Sequence, residues 1–289
     1  MSSFLQNPII IIYHGNCPDG FASALAAHLF FKQCENYKSH KDNIIFYKGK
    51  HGNPPPDCQG KEVYILDFSY SREHMIQLCR QAVKVTLIDH HISALKELND
   101  LDQEYDNLDI HFDMSQSGAV LSWKYFHDTP VPRLFEHIQD NDLWHFELAN
   151  TRPIILAIMS HPMKFKLWAS WLRDETSLDR LYAEGTILER QINRQIKHYK
   201  RAARMGNIAG YTVPIVNAPS NIGSELLHQL SDGHPFAAAY EDKPERRVWQ
   251  LRSGGENAVD VSEIARQFGG GGHKNASGFS SETVEIKVG

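Results

Sequence analysis

The most constraining feature of this chain is a series of short apolar runs, each ending at a polar residue and followed by a helical pattern. The first run, over residues 8–13, stops at His14 and precedes an alanine-rich helical segment over 19–32. Two further runs end in the same way at Asp67 and Asp89. Strands that are apolar throughout and alternate with helices are typical of a parallel sheet covered on both faces. Because ligands bind beyond the carboxyl ends of such strands, the residues that end them are candidate site residues.

The length and the change of pattern along the chain indicate two domains. At about 100 to 200 residues per domain, a chain of 289 residues has room for both. Beyond residue 113 the pattern becomes mainly helical, and a long amphipathic segment over 177–204 follows. We predict an α/β protein with three parts: an N-terminal domain over 1–173, built on a parallel sheet with helices on both faces, a helical connector over 174–205, and a smaller α/β domain over 206–289.

Composition excludes several classes of protein. The 30 Lys and Arg residues are outnumbered by 35 Asp and Glu residues, so overall charge provides no attraction for long duplex DNA or an anionic membrane. The sequence has no apolar run of the roughly 20 residues that a membrane-spanning helix needs and no basic, apolar leader, so we expect a cytoplasmic protein. The four cysteines form no CxxC pair, which favours reduced thiols over disulfides or a zinc ribbon.

Acidic and imidazole side chains gather at the predicted strand ends. The triplet Asp89-His90-His91 ends one strand, and Asp140-Asn141-Asp142 follows a later helical pattern. A mixed set of carboxylates and imidazoles suits Mn²⁺ or a similar divalent ion. Two such ions about 3.5 to 4 Å apart, sharing a carboxylate, would activate a water and neutralise charge on a phosphoryl group.

Each of these motifs also has a purely structural interpretation. A single Asp at a strand end, such as Asp67, is often a helix cap or turn former. The segment 140–142 is equally typical of a polar turn, and the glycine run 269–272 of a flexible one. The basic stripe of the connector, over 190–204, is typical of a solvated helix face, with contact to a phosphate backbone as the alternative.

At this point the sequence resembles the DHH phosphoesterases, a family named for the triplet seen here as Asp89-His90-His91. The segments Gly269–His273 and Ala276–Gly278 are similar to the glycine-rich signature of the DHH-associated domain, so the resemblance spans nearly the whole chain. It implies a two-domain, usually manganese-dependent phosphohydrolase. Members include RecJ-type exonucleases, nanoRNases, phosphatases of 3′,5′-bisphosphonucleotides, cyclic-dinucleotide hydrolases and, more distantly, pyrophosphatases.

The resemblance also implies roles for individual residues. Asp67 is expected to bridge two ions, with Asp19, His90 and Asp140 completing one site and His14 belonging to the other. His91 is expected to face the scissile phosphate, and Asp89 to support the histidines. The implied catalytic residues are Asp89 and His91, and the implied metal ligands are His14, Cys17, Asp19, Asp67, His90 and Asp140.

Cys17 departs from the family pattern, which usually has an Asp at this position. A thiolate is a softer ligand than a carboxylate, so the expected ion is Mn²⁺, with Co²⁺, Zn²⁺ or Fe²⁺ as alternatives. Whether residue 17 is a ligand at all stays open at this point.

In the second domain, the resemblance implies a site for the terminal nucleotide of the substrate, and therefore an active site in a cleft between the domains. Its residues are Arg252, Gly270, Gly271, Gly272 and His273. The arginine fork suits a phosphate, and glycine amides can closely approach an anion.

The expected function is hydrolysis of short oligonucleotides from one end, with metal-activated water as the nucleophile and a short oligonucleotide or nucleotide as the binding partner. One alternative is a phosphomonoesterase acting on bisphosphonucleotides or pyrophosphate-type substrates. Another is a nucleotide-binding regulator whose metal centre has decayed. We expect no membrane or long duplex DNA partner, and the oligomeric state is open, with a homodimer as one alternative.

Overall fold

The computed structural model describes residues 7–34, 37, 41–174, 176–254 and 258–282. The chain separates into two compact units, Met1–Glu189 and Arg190–Gly289. The long helix Ser177–Ala202 crosses the boundary between them. The predicted domain bounds at residues 173 and 206 lie on either side of this division.

The first unit is built on a five-stranded parallel sheet, as the apolar runs predicted. Its strands follow the order β2-β1-β3-β4-β5, and every neighbouring pair is parallel. They are β1 (Ile9–His14), β2 (Ile44–Gly49), β3 (Glu62–Leu66), β4 (Lys84–Asp89) and β5 (Leu108–Phe112). After β1, the chain forms β2 on one side of that strand and then β3 on its other side. The carboxyl ends of β1 and β3 therefore form a switch point, where α/β sheets bind ligands.

Helices cover both faces of this sheet, which explains why β1 is apolar at every position before His14. Ile9 and Ile11 of β1 belong to one buried cluster, and Ile10 and Ile12 belong to another on the opposite face. The helices of the unit are α1 (Pro18–Lys32), α2 (Arg72–Gln81), α3 (Ile92–Leu98), α4 (Gly118–Phe126), α5 (Arg133–Asp142), α6 (Thr151–Ser160) and α7 (Phe165–Arg173). The crossing helix Ser177–Ala202 is α8. Alternate residues of β1 thus anchor two separate cores.

The second unit is a smaller α/β domain around a six-stranded mixed sheet. Its strand order is β10-β11-β9-β8-β7-β6, with β7 and β8 parallel and the other neighbours antiparallel. Its elements are β6 (Arg204–Ile208), β7 (Tyr211–Asn217), α9 (Gly223–Leu230), β8 (Ala237–Asp242), β9 (Arg247–Arg252), α10 (Val261–Gln267), β10 (Gly271–His273) and β11 (Ala276–Ser281). The predicted α/β class is therefore confirmed in both units. Within the described ranges, no helix combines the length and the apolar character needed to cross a membrane.

Candidate metal centre

The turn between β1 and α1 brings three potential ligands together. Asn16 adopts a left-handed conformation, with φ of 60°, and Cys17 is the N-cap of α1. A Cβ at Gly20 would lie 2.4 Å from the carbonyl oxygen of His14, so only glycine allows the helix to start this close to the strand end. His14, Cys17 and Asp19 therefore all emerge at the switch point of the sheet.

Asp67 lies at the centre of the site, directly after β3. It is 1% exposed and adopts a left-handed φ of 53°, a conformation that costs a non-glycine residue energy and is concentrated at functional sites. Its Oδ1 lies 3.1 Å from His90 Nε2, and its Oδ2 lies 3.4 Å from His14 Nδ1. The two carboxylate oxygens thus face two different imidazoles, an arrangement suited to bridging two ions.

The carboxylate of Asp89 orients the DHH segment. It accepts hydrogen bonds from the backbone N–H of His90 at 2.7 Å and from Ser69 Oγ at 2.5 Å. It also lies 2.5 Å from His91 Nδ1. Burial by itself raises the pKa of Asp89, but the hydrogen bond with His91, the charge of His91 and the hydrogen bond with Ser69 together lower it. Because these bonds occupy both of its oxygens, Asp89 is better suited to hold His91 than to bind an ion.

His91 has the complementary environment. Burial alone lowers the pKa of His91, whereas its hydrogen bond to Asp89 and the charge of that carboxylate raise it above the usual value. Asp89 therefore favours the imidazolium form more than an ordinary environment would, and it holds Nδ1.

Asp19 is held by the N-terminus of α4. Its carboxylate accepts hydrogen bonds from the backbone N–H groups of Gly118, at 2.7 Å, and Ala119, at 3.0 Å. Unpaired amides at a helix N-terminus favour negative charge. The carboxylate also lies 3.8 Å from His90 Nε2. Asp19 is thus fixed beside the DHH histidine by an element almost 100 residues away in sequence.

Of the two acids in the segment 140–142, the structure places Asp142 at the cluster. Its Oδ2 lies 3.5 Å from His90 Nε2, and its side chain is 28% exposed. The family resemblance implied Asp140 as the ligand, and the sequence pattern predicted that this segment follows a helix. In the structure both residues belong to the last turn of α5. Residues two apart on a helix point about 200° away from each other, so only one of them can face His90.

Asp140 instead anchors the loop that follows α5. Its buried carboxylate accepts hydrogen bonds from the backbone N–H groups of Glu147, at 2.8 Å, and Leu148, at 3.1 Å. Thr151 Oγ1 donates a further hydrogen bond at 2.5 Å. These contacts saturate both oxygens, so Asp140 does not join the cluster and supports the chain next to Asp142.

The ligand atoms form two groups that meet at Asp67. In one, the atoms of His14, Cys17 and Asp67 lie within 4.8 Å of one another, and in the other the same holds for Asp19, His90 and Asp142. Asp67 also groups with His90 and with the other two residues of the DHH triplet. The structure therefore brings together the predicted residues His14, Cys17, Asp19, Asp67, Asp89, His90 and His91.

The electrostatics of the cluster favour a bound cation. Burial and the charge of Asp67 raise the pKa of Asp142 to about 6, and burial and the same charge raise the pKa of Asp19. Burial alone lowers the pKa of His90, but the hydrogen bond to Asp67 and the surrounding carboxylates raise it to about 10. Without a cation, the cluster therefore retains protons. A divalent ion would take their place and satisfy Asp67 Oδ2, which is buried and accepts no hydrogen bond from the described residues.

In the second unit, Arg252 is half-buried at the end of β9. It donates hydrogen bonds to the carbonyl oxygen of Leu251, at 2.9 Å, and to Ser224 Oγ, at 2.8 Å. Burial lowers the pKa of Arg252 to about 10, so the guanidinium stays charged at neutral pH. A buried cation of this kind is suited to receive an anion.

The glycine run forms the end of α10 and an edge strand. The backbone N–H of Gly270 donates to the carbonyl oxygen of Ala265, which ends the helix. Gly271, Gly272 and His273 form β10 and pair with β11, which separates them from β9. Adjacent strands are about 4.8 Å apart, so the backbone of this edge lies about 10 Å from that of Arg252. The segment is thus an ordered hairpin strand rather than a flexible turn.

This chain matches known proteins over almost its whole length. It is 26% identical over 309 residues to the oligoribonuclease NrnB of Bacillus subtilis, covering 96% of this chain and 74% of that protein. The resemblance to the DHH phosphoesterases is confirmed. The chain is also 29% identical over 293 residues to the uncharacterized protein R106 of Acanthamoeba polyphaga mimivirus, covering 96% of this chain and 68% of that protein.

Two solved structures align with nearly all of this chain. The pGpG-specific phosphodiesterase PggH of Vibrio cholerae is 13% identical, with a TM-score of 0.49, covering 95% of this chain and 93% of that one. RecJ of Thermus thermophilus in complex with Mn²⁺ is 12% identical, with a TM-score of 0.46, covering 95% of this chain and 49% of that one. No protein-family model matches the chain.

Proposed function

We propose that this chain is a divalent-metal-dependent phosphodiesterase that hydrolyses short oligonucleotides from one end. The observation that carries the proposal is the position of Asp67, whose two oxygens face His90 and His14 at 3.1 Å and 3.4 Å. A buried carboxylate between two groups of ligand atoms is the arrangement that a pair of ions requires. The similarity to the oligoribonuclease NrnB supports the substrate class.

Within this proposal, the residues divide between two ions. Asp19, His90 and Asp142 would hold one ion through oxygen and nitrogen atoms, a donor set that suits Mn²⁺. His14 and Asp67 would contribute to the other. When bound, the ions activate water and neutralise charge on the phosphoryl group. The Asp140 carboxylate would stabilise the loop after α5 and thereby fix the orientation of Asp142.

His91 would contact the phosphoryl group. His91 Nδ1 lies 2.5 Å from Asp89, so Nδ1 donates a hydrogen bond to that carboxylate and Nε2 points away from it. In the imidazolium form, Nε2 would carry a proton that it could donate to a phosphoryl oxygen, where negative charge develops. Asp89 thereby acts on the reaction through the orientation and charge of His91.

The second unit would bind the terminal nucleotide of the substrate. Arg252 would form paired hydrogen bonds with a phosphate, and residues 270–273 would contact the same nucleotide from the edge strand. Binding at an end explains why the chain needs no broad basic surface of the kind that holds long duplex substrates. Short oligonucleotides are then the natural substrate class.

The test is hydrolysis of a substrate panel in the presence of Mn²⁺. The panel contains di- to penta-nucleotides, 3′,5′-bisphosphoadenosine, and linear and cyclic dinucleotides. We expect stepwise shortening of the oligonucleotides and loss of that activity in His90→Ala, while His161→Ala, which changes an exposed histidine paired with Glu184, retains it. Exclusive release of phosphate from the bisphosphonucleotide would replace the proposal by the phosphomonoesterase alternative. Nucleotide binding without any hydrolysis would indicate the regulator.

A further inference from the structure

Cys17 lies at a position where cysteine is unusual. It is the N-cap of α1, where Ser, Thr, Asp and Asn are preferred because their side chains accept a hydrogen bond from the helix amides. Its side chain forms no such bond. By contrast, Cys58 and Cys79 are buried in a hydrophobic core, and Cys34 Sγ lies 3.8 Å from the carbonyl oxygen of Phe30. Among the residues that the structure describes, only the Cys17 sulfur lies within 4.8 Å of both a histidine nitrogen and a carboxylate oxygen, those of His14 and Asp67.

A second observation points to a ligand at the same place. Asp67 is 1% exposed, and its Oδ2 accepts no hydrogen bond from the described residues. Its other oxygen is already bonded to His90. Among the described residues, the donor near Oδ2 is His14 Nδ1, at 3.4 Å, which is longer than an ordinary hydrogen bond, and incomplete satisfaction of a buried carboxylate oxygen is costly. Asp67 shares one group of ligand atoms with His14 and the Cys17 sulfur. A cation between these three atoms would satisfy it.

We propose that Cys17 is a thiolate ligand and that it forms, with His14 and Asp67, a metal site selective for Zn²⁺, Co²⁺ or Fe²⁺ over Mn²⁺. This inference rests on the proposed metal-dependent function and makes it more specific. The centre would then consist of two chemically different sites that share Asp67. The Asp19–His90–Asp142 group supplies only oxygen and nitrogen, whereas the Cys17 group adds sulfur.

The dimensions of the group are those of one ion. Bonds from zinc to sulfur, nitrogen and oxygen are about 2.0 to 2.3 Å long and tetrahedrally arranged, so two ligands of one ion are roughly 3.3 to 3.6 Å apart. Atoms that already lie within 4.8 Å of one another can close around such an ion with movements of up to about 1 Å. Residue type provides the selectivity, because thiolate favours borderline and soft ions while Mn²⁺ favours oxygen.

The experiment is a titration of the whole chain with Co²⁺, followed by absorption spectroscopy. We expect a sulfur-to-cobalt charge-transfer band in the near ultraviolet, which is lost in Cys17→Ser while the second ion still binds. Cys34→Ser is the matched control, since this thiol lies at the other end of α1, and it should keep the band. The Kd for Zn²⁺ should rise by about tenfold or more in Cys17→Ser, because loss of a residue that only supports a metal ligand already weakens metal binding by about that factor. In Cys17→Asp the band should also be absent, and Mn²⁺ should bind more tightly than in the wild type.

Three outcomes would overturn the inference. They are a band that persists in Cys17→Ser, a wild-type chain that binds Co²⁺ without the band, and a chain that binds no Co²⁺. Hydrolysis of oligonucleotides, measured on the same samples, distinguishes this inference from the proposed function. Mn²⁺-dependent hydrolysis without a thiolate band refutes only the role of Cys17, whereas a thiolate band without any hydrolysis refutes only the phosphodiesterase.

Discussion

A single methyl group at Gly118 should disable the metal centre without unfolding the protein. Gly118 begins α4, and a Cβ built there would lie 2.4 Å from Asp67 Cβ and 2.9 Å from Asp67 Cα. Ordinary contact begins at 3.4 Å, so the Gly118→Ala substitution must separate the two residues by about 1 Å. The contacted atoms belong to the backbone and to the base of a short side chain, so rotation of a flexible group cannot relieve the clash.

The magnitude follows from that displacement. A misplacement of about 1 Å in a catalytic group can cost roughly 100-fold in rate, and we expect a loss of this size in kcat/KM for a Mn²⁺-dependent oligonucleotide substrate. Overpacking in a buried region costs about 1 to 3 kcal/mol, which corresponds to a fall in Tm of roughly 2 to 12 °C for a domain of this size. Activity should therefore collapse at temperatures where the variant is still folded.

The assay combines oligonucleotide hydrolysis, calorimetric measurement of Mn²⁺ binding, and thermal unfolding. Gly60→Ala is the control, because Gly60 has an open environment and a left-handed φ of 68°. An alanine there costs about 1 to 2 kcal/mol through backbone strain and touches no part of the centre. We expect the control to lose stability and keep its activity. A folded Gly118→Ala enzyme with wild-type activity would refute the claim that Asp67 is held at a fixed position for catalysis.

Three further predictions concern other residues. Asp140→Asn should lower the free energy of unfolding by about 1.5 to 3 kcal/mol, through a lost charge-assisted hydrogen bond. Asp142→Asn should instead abolish hydrolysis without destabilising the metal-free chain, because it removes repulsion from Asp67. Equal losses of stability in the two variants, measured by urea or thermal unfolding, would contradict this. The metal-free chain should lose stability in urea as pH rises from 6.5 towards 10, since the raised pKa of His90 stabilises the fold only while the imidazole is protonated, and His90→Gln should flatten that slope. Arg252→Ala should raise KM for oligonucleotides and leave hydrolysis of bis(p-nitrophenyl) phosphate unchanged; an equal effect on both substrates would remove Arg252 from the nucleotide site.

Much of the fold and part of the centre could be predicted because they depend on local patterns. Residues 9–13 are all apolar, and so are Val85, Leu87 and Ile88 of the neighbouring run, because both faces of their sheet are covered, which implies parallel strands. Parallel strands place their carboxyl ends at one edge, so His14, Asp67 and Asp89 had to lie near one another. Strand β5 was not predicted, because residues 108–112 form an edge strand whose pattern mixes apolar and polar residues.

The sequence alone determined which chemical groups gather at the edge of the sheet, whereas tertiary packing decided how each of them is oriented. Helical rotation of about 100° per residue separates Asp142 from Asp140, and the packing of α5 selects which of the two faces His90. Gly118 lies against Asp67, about 50 residues away in sequence, and its neighbouring amides fix Asp19. Such contacts follow no local periodicity, because they depend on where a distant helix begins. The physical reason is that strand order follows from side-chain burial, but the direction of a carboxylate depends on the hydrogen bonds available to it in the folded chain.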